Sequence, residues 1–145
     1  MQESLTIGEL SERSGVAASA LRYYERLGLI RAGRTGGNQR RYERAELRRV
    51  AFIRIAQRVG VPLEEIREAL ATLPDARTPT KADWARLSVR WRTRLDEQIA
   101  LLERLRDRLT GCIGCGCLSL QRCRISNPAD ELAAEGPGPR HLLRA

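Results

Sequence analysis

The stretch Ala17–Ile30, AASALRYYERLGLI, decides how the chain is read. Ala17 or Ala18, Leu21, Tyr24 and Leu27 or Gly28 recur at helical spacing, and Gly28 supplies a left-handed residue to end the helix they predict. Upstream, Thr6 followed three residues later by Glu9 has the form of a capping box. It opens a first helix with Ile7, Leu10 and Val16 on its apolar side, which Gly15 breaks. Two short helices joined by a tight Ser-Gly turn predict a helix-turn-helix.

Downstream, LIRAGRTGGNQRRY (29–42) sets Gly-Gly-Asn between arms carrying Ile30 and Tyr42, the pattern of a two-stranded wing. A third helix is expected over about Glu43 to Val59, presenting Leu47, Val50, Ala51, Ile53, Ile55 and Val59 to a core. Gly60 ends it and Pro62 opens a fourth, at a position where the missing N–H costs nothing. TLPDARTPT (72–80) reads as a linker around Pro74 and Pro79.

From about Thr80 to Thr110 there is no Pro or Gly, which predicts one helix about 45 Å long. Read in sevens, Trp84, Ser88, Trp91, Leu95, Gln98, Leu102, Leu105 and Leu109 form one mostly apolar seam. A stripe that long needs a partner helix, so a dimeric coiled coil is expected, with Gln98 as its register-fixing polar residue. The tail beyond Cys123, rich in Gly and Pro in part, is expected to be largely extended or disordered.

The 145 residues suffice for one domain, or one compact domain with an extended element. No basic segment followed by an apolar run opens the chain, and no stretch reads as a membrane span, so a cytoplasmic protein with reduced thiols is expected. Its +8 net charge is localised: residues 22 to 58 hold eleven arginines against three glutamates, and the rest balances. Such a patch predicts a polyanion partner, nucleic acid before anionic membrane, with a solvated basic face as the bland alternative. The lone histidine, His141, lies in the tail, and no nucleophile constellation, phosphate loop or dinucleotide fingerprint is present, which argues against an enzyme.

All four cysteines fall in CIGCGCLSLQRC (112–123), spaced C-x2-C-x-C-x5-C. Four thiolates can hold tetrahedral zinc or an iron–sulfur cluster. Gly114 and Gly116 permit the close backbone approach that suits a cluster, but spacing alone leaves iron–sulfur, zinc and a thiol switch open.

TIGELSERSGVAASALRYYERLGLI (6–30), GGNQRRY (36–42) and the cysteine string followed by NPADEL together resemble the MerR family of bacterial transcription regulators. The likeness covers roughly residues 5 to 135, and the cysteines resemble the family's redox-sensing branch. The resemblance implies a mainly α fold: a winged helix-turn-helix DNA-binding domain over 1–73, a linker at 74–79 and a dimerisation helix over 80–110. A cluster loop at 111–124 and a partly disordered tail at 125–145 complete it. It implies a [2Fe–2S] cluster on Cys112, Cys115, Cys117 and Cys123. It also implies a homodimer whose long helices pair antiparallel through Trp84, Trp91, Leu95, Gln98, Leu102, Leu105 and Leu109. If that pairing centres near residue 97, Trp84 lies opposite position 110 of the second chain, beside its cluster loop.

By the same resemblance the second helix enters the major groove of promoter DNA. Ser19, Arg22, Tyr23, Tyr24 and Arg26 would approach bases or phosphates, while Arg40, Arg41 and Tyr42 of the wing grip the flanking backbone. Adjacent helical residues point about 100° apart, so one of Tyr23 and Tyr24 packs inward, and Tyr24 fits the apolar spacing better. The implied function is activation on a pseudo-palindromic promoter: cluster oxidation distorts the bound DNA for RNA polymerase. Leu120 departs from the polar residue expected there and bears on the potential. The rival readings are a zinc- or other metal-responsive regulator without redox switching, and a small iron–sulfur electron carrier.

Overall fold

The computed structural model describes residues 4–109, 111, 114 and 127–144. The chain divides into two units, Met1–Ser88 and Val89–Ala145.

In the first unit, strand β1 (Ser4–Leu5) leads into helix α1 (Ile7–Ser14). The capping box forms: Thr6 donates its N–H to Glu9 Oε2 at 2.7 Å, and Glu9 donates its N–H to Thr6 Oγ1 at 3.2 Å. Gly15 ends α1 in the left-handed region at φ 69°. Helix α2 (Ala18–Arg26) closes with a Schellman motif. In it Gly28, at φ 75°, donates to Glu25 O, and Leu29 donates to Tyr24 O. Strands β2 (Gly33–Arg34) and β3 (Arg40–Glu43) pair antiparallel as the expected wing. The sheet has a third strand that the sequence did not signal: β1 pairs with β3, matching Leu5 to Tyr42, in the order β1-β3-β2. Two residues are too short a run to show alternation.

Helix α3 runs Glu46–Arg58 and α4 runs Leu63–Ala71. Side chains of Leu10, Leu21, Tyr42, Val50, Ile53 and Ile66 meet in a fully buried core. The expected inward face of α3 needs correction. Val50, Ile53 and the unnamed Ala56 are buried, but Ile55 is 60 % and Val59 48 % exposed, and Ala51 is also exposed. Residues 50, 53 and 56 follow one helical stripe, whereas 51, 55 and 59 follow another on the opposite side. The buried stripe continues through Glu46 and Arg49, a pair that apolarity alone cannot reveal.

Pro74–Pro79 carries no helix or strand, and α5 (Lys81–Arg108) begins after it. A second capping box starts α5: Thr80 donates its N–H to Asp83 Oδ2 at 2.7 Å, and Asp83 donates back to Thr80 Oγ1 at 3.3 Å. Arg77 NH1 donates to the same carboxylate at 2.5 Å. Trp84 packs on α3, its ring 5.9 Å from that of Phe52 and 5.1 Å from the Arg48 guanidinium carbon.

In the second unit, the rest of α5 is followed, among described residues, by a 3₁₀ segment at Pro128–Glu135 and a short helix α6 (Arg140–Leu143). The described part of the tail thus carries helical turns that its Gly and Pro content does not signal. Buried Asn127 explains part of this: its Oδ1 accepts from Leu132 N at 3.0 Å and its Nδ2 donates to Asp130 at 2.9 Å. Leu132 and Leu142 are buried, and Arg104 Nε and Arg108 NH1 donate to the carbonyls of Leu142 and His141 at 2.5 and 3.2 Å. His141 is half-buried in α6. No helix among the described residues is long and apolar enough to cross a membrane.

Candidate nucleic-acid interface

Helix α2 and strand β3 carry the residues singled out for DNA. Ser19, Arg22 and Arg26 are exposed along α2, and Tyr23, 45 % exposed, lies with its ring 5.7 Å from the Arg26 guanidinium carbon. Tyr24 is the inward tyrosine: its ring is buried, and its hydroxyl donates to Gln57 Oε1 on α3 at 2.7 Å. Burial holds that phenol above its ordinary pKa.

In the wing, Arg40 is exposed and Arg41 half-buried. Tyr42 does not fit the expected role. It is 0 % exposed in the core, where its hydroxyl donates to Glu25 Oε2 at 3.1 Å, so its ring cannot grip a phosphate. Burial first, and then the Glu25 carboxylate, push the Tyr42 pKa up. The physical reason is the neighbouring strand: 42 shares a face with exposed Arg40, but it pairs with buried Leu5, whereas 40 lies beyond the end of β1.

Between α2 and β3 lies a cleft of about 300 Å³, lined by Arg22, Glu25, Arg26 and Arg40. Arg40 Nε lies 3.6 Å from Glu25 Oε1. Sequence reasoning passed over Glu25. The signal was available: it sits three residues after Arg22 and so shares its helix face. The tip of the wing is fixed by Arg34 NH1, which donates to Asn38 O and Oδ1, each at 3.2 Å. The turn between α1 and α2 is fixed by Arg54 on α3, which donates to Ser14 O at 2.8 Å.

A second polar cavity, of about 320 Å³, lies where the linker runs past Arg31, Glu46 and Arg49. There Glu46 accepts the Arg31 N–H at 3.2 Å, and burial raises its carboxyl pKa against the opposing pull of that bond and of Arg49. Arg31 also pairs with Asp75 of the linker.

A family model described as "MerR HTH family regulatory protein" matches residues 5–73, and one described as "MerR, DNA binding" matches residues 47–112. The chain is 56 % identical over 144 residues to a protein of Chromobacterium violaceum named HTH-type transcriptional activator SoxR homolog, covering 99 % of this chain and 97 % of that one. The chain belongs to the MerR family.

The chain is also similar to two further proteins at lower identity. It is 35 % identical over 105 residues to the HTH-type transcriptional regulator HmrR of Rhizobium leguminosarum bv. viciae, covering 72 % of this chain and 81 % of that one. A crystal structure of a MerR family regulator from Listeria monocytogenes superposes with a TM-score of 0.56 at 35 % identity, covering 73 % of this chain and 80 % of that chain. As a MerR family member the chain is a DNA-binding transcription regulator, and the helix-turn-helix and wing are the expected ones.

The other half of the expected site is only partly in view. Cys112, Cys115, Cys117 and Cys123, with Leu120 and Gly116, lie outside the described residues. Gly114, between the first two cysteines, is buried at φ 78°, where a Cβ would come within 2.8 Å of Leu132 Cδ1 and 3.0 Å of His141 N. Nearby, Arg140 Nε is buried without a hydrogen-bond partner among the described residues. Along the seam, Trp84, Trp91, Leu95 and Gln98 are half-buried within the chain itself, and Leu102, Leu105 and Leu109 are exposed. Gln98 accepts from Arg94 at 2.5 Å.

Proposed function

We propose that this chain is a redox-sensitive transcriptional activator of the cytoplasm, not an enzyme. As a homodimer it holds a pseudo-palindromic promoter element, and it activates RNA polymerase by distorting the bound duplex. The observation that carries the redox half is the C-x2-C-x-C-x5-C string after the long helix, in a chain 56 % identical to a SoxR homolog.

The donor set suits a [2Fe–2S] cluster: four soft thiols with no histidine among them. Two described features fit a group held by that segment. Gly114 has the left-handed backbone and close packing that only glycine tolerates, and the buried Arg140 Nε, without an acceptor among the described residues, is a donor suited to an anionic group. When bound, such a cluster supplies a one-electron couple.

The chain's own residues do the rest. Arg22, Arg26 and Arg40 take phosphate oxygens, and Ser19, Tyr23 and Arg41 supply further polar contacts. The exposed leucines of α5 pair with a second copy, and in an antiparallel pairing Trp84 faces position 110 of that copy. Distortion of a duplex costs a few kcal/mol, within reach of a change in the dimer's conformational balance.

The test is an anaerobic purification. The expected protein is coloured, carries iron and acid-labile sulfide, and bleaches with dithionite and recovers in air. Its Cys115→Ala variant loses the colour while still binding promoter DNA. A colourless zinc protein overturns the redox half and leaves a metal-responsive regulator.

A further inference from the structure

Glu25 places a carboxylate inside an otherwise cationic cleft. Arg22 and Arg26 stand one turn apart on α2 and Arg40 faces them from the wing, so three guanidiniums surround one acid. On a surface that meets phosphate, that acid costs affinity, because it repels the polyanion the arginines attract. A neutral side chain would bind DNA more tightly.

What Glu25 gains is geometric. Its two oxygens engage two residues of the same strand: Oε2 accepts from the Tyr42 hydroxyl at 3.1 Å, and Oε1 lies 3.6 Å from Arg40 Nε. Residues two apart on a strand share a face, so both partners present toward α2. Tyr42 is buried and its backbone pairs with Leu5, while Arg40 pairs with Arg34 of β2. One carboxylate near the end of the recognition helix therefore holds the central strand of the wing.

We propose that Glu25 is a specificity-determining positioning residue of the DNA interface: it gives up general affinity to fix the wing against α2. Arg22 and Arg40 then meet phosphates at one fixed separation, and a duplex whose backbone does not match that spacing loses a contact. The inference rests on the DNA-binding reading above and concerns discrimination rather than binding.

The test uses a duplex selected by the wild-type full-length protein from a randomised pool, and a scrambled duplex of equal composition. Both are titrated across a salt series with wild type, Glu25→Gln and Tyr42→Phe. Glu25→Gln keeps an acceptor but removes the charge. It should bind the scrambled duplex more tightly with a steeper salt slope, and its preference should fall roughly two- to fivefold, the size of a part-exposed ion pair such as Glu25 makes with Arg40. Tyr42→Phe keeps the charge but removes the bond, so preference should fall with the slope unchanged. Preference retained in both variants overturns the proposal. So does equal weakening on both duplexes with a lowered melting temperature, which is a structural role alone. A wild type that prefers neither duplex overturns the DNA reading and this inference with it.

Discussion

Gly15 joins the two helices of the helix-turn-helix at φ 69°, with the Arg54 guanidinium packed beside it. A Cβ there would meet Arg54 NH1 at 2.6 Å, but that atom ends a flexible side chain and can move. Moving it breaks its hydrogen bond to Ser14 O, and the backbone cannot yield, so Gly15→Ala should cost about 1 to 2 kcal/mol in urea unfolding from the left-handed conformation, with the lost bond added to it. Asp83 carries a pH dependence. The Arg77 guanidinium and the Thr80 N–H hold its carboxyl well below the usual range. A depressed native pKa contributes stability above the unfolded value of about 3.9 and loses it as pH falls toward the native one. The stability advantage of wild type over Asp83→Asn should therefore shrink between about pH 5 and pH 2, followed by tryptophan fluorescence. The cationic surface was legible mostly from charge and helical spacing: Arg22, Arg26 and Arg40 line one cleft. Tyr42 was not, because its burial follows from a pairing with Leu5 that lies far away in sequence.

At the scale of elements, caps and breakers were the legible part. Thr6, Gly15, Gly28 and Gly60 mark boundaries that local hydrogen bonding decides, so sequence neighbours suffice to find them. Thr6→Ala removes the acceptor for Glu9 N–H and should lower stability by about 1 kcal/mol in the same unfolding assay. The inward face of α3 was less legible because it mixes Val50 and Ile53 with the Glu46–Arg49 pair. Apolar counting misassigned Ile55 and Val59, which lie outside the buried stripe. The exposed Leu102 and Leu105 of α5 carry the dimer proposal. Leu105→Arg should weaken self-association roughly a hundredfold, the scale of a well-packed interface anchor, read by light scattering across a concentration series. Unchanged association would remove the seam from the proposal.

At the scale of the whole molecule, the net charge of +8 sits almost entirely in the segment that builds α2, the wing and α3. Affinity for any duplex should therefore fall on the order of a thousandfold or more between about 50 and 200 mM salt, if six or more phosphates are neutralised. A flat salt response would argue against phosphate contact.

The chain's three tyrosines are divided by their surroundings: two are sealed in the core, and Tyr23 stands at the surface of the recognition helix beside Arg26. The protein thus carries a built-in chemical probe of the proposed interface. Tetranitromethane should nitrate Tyr23 and spare Tyr24 and Tyr42 in the folded state. Bound promoter DNA should then suppress that one modification, giving an occupancy readout that needs neither a label nor an engineered residue.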